Sequence, residues 1–286
     1  MKTTSTSRTV GDIEIACTVV GEGVPLVVVH GAIGLGATYM RDLDRWAEEF
    51  QLVYYDQRGS GRTPAGDPEK VSFAGAVHDL DGLRDALGVD RVNLVGHSAG
   101  ALLAAVYAGK RPQSTGSLVM LNPGPPLIPA LFQAFQQEMG ARRTADDDAA
   151  RKSIEESPEF QARDPQTLER HTVNTFIPFF RDRATIESIT PGFTEITAAN
   201  VLAAPERMIG SLGALDPMGT FAGIQCPTLL VHSELDPIPA AWAHALVDTI
   251  PGADHVLLEG ASHFAHIEDA DQLANAVLPW VRNHAR

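Results

Sequence analysis

Apolar and polar positions alternate along Ile13-Glu-Ile-Ala-Cys-Thr-Val-Val20, directly after Gly11-Asp12. That period of two predicts a β-hairpin built from the first residues of the chain. Pro25-Leu-Val-Val-Val29 does not alternate; a continuous β-branched run suits a strand buried on both faces of a parallel sheet. Leu43, Trp46, Ala47 and Phe50 share one helical face, which predicts a helix over 43–50. Gln51-Leu-Val-Tyr-Tyr55 reads as the next strand, and 73–87 as an amphipathic helix closed by Gly88. Arg91-Val-Asn-Leu-Val95 predicts a strand, Ala101-Leu-Leu-Ala-Ala-Val-Tyr107 a helix, and 116–121 a further strand. Strands alternating with helices predict an α/β, mostly parallel, doubly wound sheet of about eight strands.

The alternation stops at Asn122-Pro-Gly-Pro-Pro126 and roughly ninety residues of helical pattern follow, a length suited to an inserted unit. The expected organisation is therefore a core of 1–123 and 220–286 carrying a helical cap insertion at 124–219. Helix starts are legible at Thr144 before three aspartates, at Asp164 before Pro165, and at Pro205. Phe132, Phe135, Phe176, Phe179, Phe180 and Phe221 concentrate aromatic content here, and are expected mainly as the insertion's own core, with pocket lining as the lesser role. The run Asp146, Asp147, Asp148 is expected to be a solvated helix start. Alternation resumes with a strand at 227–232, a helix at 240–249, a strand at 256–259 and a closing helix at 271–286.

Composition narrows the partners. The 286 residues carry 22 Lys+Arg against 36 Asp+Glu, a net charge of −14. Such a surface repels phosphate backbones and anionic lipid, so neither nucleic acid nor membrane is expected as a partner, and a small neutral or cationic molecule is. Two cysteines, Cys17 and Cys226, lie in separate strand-like segments and are too few for a disulfide framework or a zinc cluster. The first residues lack the apolar core of a signal peptide, which leads to the expectation of a cytoplasmic protein. Oligomeric state leaves no trace in the pattern.

Chemistry enters at Gly96-His97-Ser98-Ala99-Gly100, between a strand and a helix. A turn that tight strains the serine backbone, requires small neighbours, and lifts the hydroxyl above the sheet edge at a helix N-terminus. A serine hydroxyl is a weak nucleophile until a base lies within reach and an acid orients that base. Partners must come from loops at the carboxyl ends of parallel strands. Two loops qualify: Ser233-Glu-Leu-Asp-Pro237 supplies Asp236, and Gly260-Ala-Ser-His-Phe264 supplies His263. The order Ser98, Asp236, His263 is the one expected of a nucleophile-elbow triad. Glu234 is the reserve acid; the position after the strand at 116–121, where an acid could also serve, offers Asn122 and prolines, which strengthens Asp236. The oxyanion needs two N–H donors, expected from Ala99 and from Ala32 in the loop His30-Gly-Ala-Ile-Gly34, with Ile33 as a pocket wall. His97 is expected to pack or hydrogen-bond locally. The His263-x-x-His266 spacing lacks a third ligand, and Gly31-Ala-Ile-Gly-Leu-Gly36 lacks the glycine order of a dinucleotide site, so neither a metal nor a cofactor is expected.

Together these motifs resemble the α/β-hydrolase family across nearly the whole core, and Asp56-Gln-Arg-Gly-Ser-Gly-Arg62 is similar to a loop of its prolyl-aminopeptidase branch. That branch usually has a tryptophan after its nucleophile and a second glycine beyond the elbow; here Ala99 and Ala101 stand instead. Its aminopeptidases hold the substrate amine with cap carboxylates, for which Glu187, Glu195 and Glu206 are available. The resemblance implies a cofactor-independent serine hydrolase of carboxylic esters or lactones working through an acyl-enzyme. The alternative is a prolyl aminopeptidase or amidase; further readings on the same triad are a lyase, a carbon–carbon hydrolase, a perhydrolase, or a small-ligand receptor.

Overall fold

The computed structural model describes residues 2–31, 34–189 and 191–285, without the side chains of Glu187 and Ser188. β1 (Thr3–Val10) and β2 (Ile13–Val20) form the predicted hairpin, turned at Gly11 with φ 58°. β3 (Pro25–Val29) is buried along nearly its whole length, and a 3₁₀ helix (Ala37–Glu48) leads to β4 (Gln51–Tyr55). That helix begins six residues before the predicted start. Its register still buries Leu43, Trp46 and Ala47, which is why their spacing was visible. α1 (Phe73–Leu87) starts on the Ser72 side chain and stops at left-handed Gly88. β5 (Val92–His97), α2 (Ala99–Lys110) and β6 (Thr115–Leu121) follow.

Between β6 and β7 (Thr228–Ser233) lie α3 (Pro129–Ala141), α4 (Ala145–Glu155), α5 (Pro158–Gln161), α6 (Pro165–Phe176), α7 (Glu195–Asn200), α8 (Ala204–Leu212) and α9 (Pro217–Ala222). The chain closes with α10 (Ala240–Thr249), β8 (Asp254–Leu258), α11 (Ala265–Glu268) and α12 (Ala270–His284).

The eight strands form one sheet in the order β1-β2-β4-β3-β5-β6-β7-β8, antiparallel at β1/β2 and β2/β4 and parallel elsewhere. Both faces are covered. Val27, Val29, Leu94 and Met120 pack under α1 and α2, while Leu26, Val28, Val95 and Val119 pack toward the 3₁₀ helix and α12. From β3 the chain winds outward to β4, then returns to lay β5 on the other side of β3. The strand order therefore reverses between β3 and β5, and a crevice opens at their carboxyl ends. The loop after β3 and the turn after β5 both enter it.

The helical segment departs from two expectations. Its own buried cluster is small, Leu168, Ala198 and Val201 with Phe160 and Phe193 against it. Phe132, Phe135, Phe176 and Phe179 instead line a cavity above the sheet, Phe180 stacks on Phe264 at 4.5 Å, and Phe221 joins the main core beside α2. Short helices supply few inward positions, so the rings turn toward the sheet. Asp147 is likewise buried rather than solvated. It closes a capping box with Thr144 and pairs with Arg183.

Candidate active site

Ser98 sits between β5 and α2 with φ 54° and ψ −124°, a backbone conformation rare for any residue with a side chain. The neighbouring glycines explain how the chain tolerates it. A Cβ on Gly100 would lie 2.2 Å from the Val29 carbonyl oxygen and 2.4 Å from that of His30; one on Gly96 would lie 2.6 Å from the Ala101 Cα. The strand, the turn and the helix thus approach one another closely only because both positions lack a side chain. Ala99 is the first residue of α2, so its N–H has no partner within the helix.

Asp236 and His263 come together. His263 Nδ1 donates to Asp236 Oδ2 across 2.7 Å, and Asp236 Oδ1 accepts from the Ile238 N–H at 2.9 Å. Neither side chain is more than 2% exposed. Two hydrogen bonds orient the carboxylate, and the imidazole has one nitrogen committed to it and the other left for chemistry. Ser98 and His263 line the same small cavity, walled by His97, Phe176, Phe179 and Phe264. Glu234, the reserve acid, accepts from the Gly260 N–H at 2.7 Å and so is engaged away from the His263 ring. Ala32 and Ile33 lie outside the described residues, so the second oxyanion donor and the wall expected from them are not placed.

Sequence reasoning missed what stands behind His263. Asn122, with φ 44°, accepts the Ser233 N–H at 2.8 Å and donates through Nδ2 to the His263 carbonyl at 2.9 Å. One amide therefore touches both the loop that carries Asp236 and the loop that carries His263. His97 reaches the same carbonyl, 3.0 Å away through Nε2. Its Nδ1 meets the Tyr39 hydroxyl at 3.0 Å, and that hydroxyl accepts the Gly31 N–H at 2.8 Å. The only sequence signal was a polar residue where an acid might stand, at Asn122.

A cavity of about 450 Å³ opens above Ser98 and Ala99. Its walls are Leu35, Phe132, Phe135, Phe176, Phe179 and Ile238, closed on the far side by Val201, Leu202, Pro205 and Ile209. His171, Thr172 and Thr175 of α6 are the polar wall residues besides Ser98, and among the described residues lining it there is no carboxylate. Glu195 and Glu206 are exposed and outside the lining. A larger groove of about 600 Å³ runs along α6 between Ile154 and Ile186, and neither Ser98 nor His263 borders it. Among the described residues no group of three or more His, Cys, Asp or Glu side chains is arranged to hold a metal ion, and no helix is long and apolar enough to cross a membrane.

An eight-stranded, mostly parallel sheet with a strained serine turn at its topological switch point is the architecture of the α/β hydrolases. The model of the alpha/beta hydrolase fold matches residues 24–270, and the chain belongs to that family. Among sequence relatives, a Klebsiella pneumoniae (strain 342) protein whose name provisionally assigns it carbamate hydrolysis (RutD) is 27% identical over 259 residues, 87% of this chain and 88% of that protein. Among solved structures, the proline iminopeptidase of Mycobacterium smegmatis superposes with a TM-score of 0.70 at 22% identity, covering 99% of each chain. The enol-lactonase of Burkholderia xenovorans LB400 superposes with a TM-score of 0.65 at 21% identity, covering 97% of this chain and 100% of its own. The chain is thus a hydrolase of the α/β-hydrolase type with prolyl-aminopeptidase-like relatives.

Proposed function

We propose that this protein is a cofactor-independent serine hydrolase that cleaves a carboxylic ester or lactone of a small, uncharged molecule. The observation that carries the proposal is the buried Asp236–His263 pair opening onto the same cavity as Ser98, at the floor of an apolar chamber. Ser98 Oγ attacks the carbonyl carbon while His263 Nε2 takes its proton. Asp236 holds the ring in the tautomer that leaves Nε2 free to do so and stabilises the imidazolium that forms. The Ala99 N–H, joined by that of Ala32, holds the oxyanion. His263 then returns the proton to the departing alkoxide, leaving an acyl-Ser98. A water deprotonated by the same nitrogen attacks the acyl carbon, and His263 passes that proton to Ser98 Oγ as the acid leaves. Residues 124–219 act as the cap whose aromatic face selects the acyl group.

The chamber's composition supports ester over aminopeptidase chemistry. A free N-terminal amine is cationic and needs a carboxylate partner once water is excluded. Among the described residues the chamber walls offer apolar rings, hydroxyls and the His171 imidazole instead, which suit a neutral acyl chain. Ala99 beside the nucleophile supports the same reading.

Ser98→Ala is expected to lower turnover of aryl esters by at least about 10³-fold with an unchanged unfolding midpoint. A variant that keeps most of its activity removes the mechanism. A panel of aryl esters and lactones set against proline arylamides then decides the bond: preference for the arylamides would replace the ester reading with the aminopeptidase one.

A further inference from the structure

Behind the imidazole of His263 a hydrogen-bonded chain runs from one side of the site to the other, and the donor in each link follows from chemistry. A main-chain carbonyl only accepts, so His97 Nε2, 3.0 Å from the His263 oxygen, must carry the proton. In a neutral ring Nδ1 is then the acceptor, and the Tyr39 hydroxyl, 3.0 Å away, must donate to it. The Tyr39 oxygen is left to accept the Gly31 N–H at 2.8 Å. The polarity is therefore single: Gly31 N–H to Tyr39, Tyr39 O–H to His97, His97 Nε2–H to the His263 carbonyl. Tyr39, His97 and His263 are each at least 95% buried, so water does not compete for these links. Burial also drives the His97 pKa well below its ordinary value, with His263 and His266 adding to the effect, and raises that of Tyr39. The ring stays neutral and the phenol protonated, which holds the polarity in place.

We infer that His97 is a positioning residue for the proposed reaction: it pins the main chain of the general base and, through Tyr39, ties that pin to the loop at Gly31. The inference rests on the serine-hydrolase reading above. His263 must hold a near-attack geometry to Ser98 while its ring charges and discharges, and a displacement of about 1 Å in such a group costs on the order of 10²-fold in rate. Asn122 donates to the same carbonyl at 2.9 Å and anchors the Asp236 loop through Ser233. The two donors together bring the acid loop, the base loop and the end of the nucleophile's strand into one frame. His97 precedes Ser98 directly, so the frame is referenced to the nucleophile itself.

Two substitutions divide the ring's functions. In His97→Asn the amide oxygen takes the place of Nδ1, keeping the Tyr39 link and losing the donor to His263. In His97→Gln the amide nitrogen takes the place of Nε2 and keeps that donor. The readout is the rate at which a fluorophosphonate labels Ser98, followed by intact mass, alongside aryl-ester kinetics. H97N is expected to label at least tenfold more slowly, with kcat falling in proportion and KM within twofold. H97Q is expected to recover labelling to within about threefold of the parent. H97N labelling at the parent rate, or H97N and H97Q equally slow, would overturn the assignment. Should H97N fail to fold, Tyr39→Phe removes the hydroxyl that orients His97 and is expected to slow labelling several-fold; an unchanged rate there overturns the chain. Failure of the parent protein itself to be labelled at Ser98 tells against the serine-hydrolase reading, a separate outcome.

Discussion

Two acidic side chains stand two residues apart after β7, and their surroundings separate them. Asp236 has both carboxylate oxygens bound, one by the His263 ring and one by the Ile238 N–H, with no exposed side-chain surface. Glu234 holds the Gly260 N–H. Replacing Asp236 by Asn keeps the shape but puts a neutral amide beside Nδ1, which favours the wrong tautomer and removes the charge that supports the imidazolium. Asp236→Asn is therefore expected to lower kcat by roughly 10³- to 10⁴-fold, whereas Glu234→Gln should stay within a few-fold. Steady-state kinetics on one aryl ester decides both, and a severe loss in E234Q with a mild one in D236N would exchange their roles.

At the scale of elements the elbow depends on contact between β3, β5 and α2. The Ser98 N–H reaches the Leu121 carbonyl at 2.9 Å, and the Ser98 carbonyl accepts from Ala101 at 3.0 Å and Gly124 at 3.3 Å. Gly100→Ala would drive a methyl against the Val29 and His30 carbonyl oxygens, backbone at the end of the central strand β3 and just beyond it. A loss above about 2 kcal/mol is expected from such overpacking, together with loss of activity as Ser98 shifts. Urea unfolding measures the first, and a midpoint equal to that of the parent would show that the strand and helix have room to part. The helical segment is fastened by arginines to the loop that carries Asp236 and to the loop that carries His263. Arg142 Nη1 donates to the Leu235 carbonyl at 2.7 Å, and Arg181 Nη1 to the Gly260 carbonyl at 2.6 Å and to Asp269. The segment that supplies the aromatic chamber is thus bonded next to Asp236 and close to His263.

For the molecule as a whole, buried histidines set the acid limit. Burial lowers the pKa of His30, His97 and His266 from the ordinary 6.5, to about 3 for His266. Below pH 6.5 the unfolded chain binds protons that the native state refuses, so their contribution is complete above that pH and is lost as pH falls toward the native values. For His97 and His266, held well below 6.5, the limiting slope is about 1.4 kcal/mol per pH unit each, and His30 acts in the same direction. Relief of the −14 net charge works the other way. Exposed charges are screened beyond about 10 Å in ordinary buffer, which makes this the smaller effect. Stability is expected to fall steeply from pH 6.5 to pH 5, measured by denaturant midpoints; a flat profile across that interval would contradict the burial argument.

Strand and helix order was legible from local patterns because apolar period and glycine placement act over a few residues. Val27, Val28 and Val29 announced a strand buried on both faces, and Gly88 announced the end of α1. The meeting of Asp236 and His263 was legible for a related reason: each stands in a loop that follows a parallel strand, and the adjacent strands β7 and β8 bring those loops side by side. The 3₁₀ character of Ala37–Glu48 was not, since a four-residue apolar spacing fits either helix. Nor was the inward turn of Phe132, Phe135, Phe176 and Phe179, because a helix's apolar face does not say whether it meets another helix or an empty space. Asn122, Tyr39 and His97 are separated by up to 83 positions and meet Gly31 and His263 only in three dimensions. Local free energy along the chain dictates elements and their ends. The polarity of a buried hydrogen-bond chain, and the face an aromatic helix shows to a substrate, depend on which elements the folded sheet brings into contact.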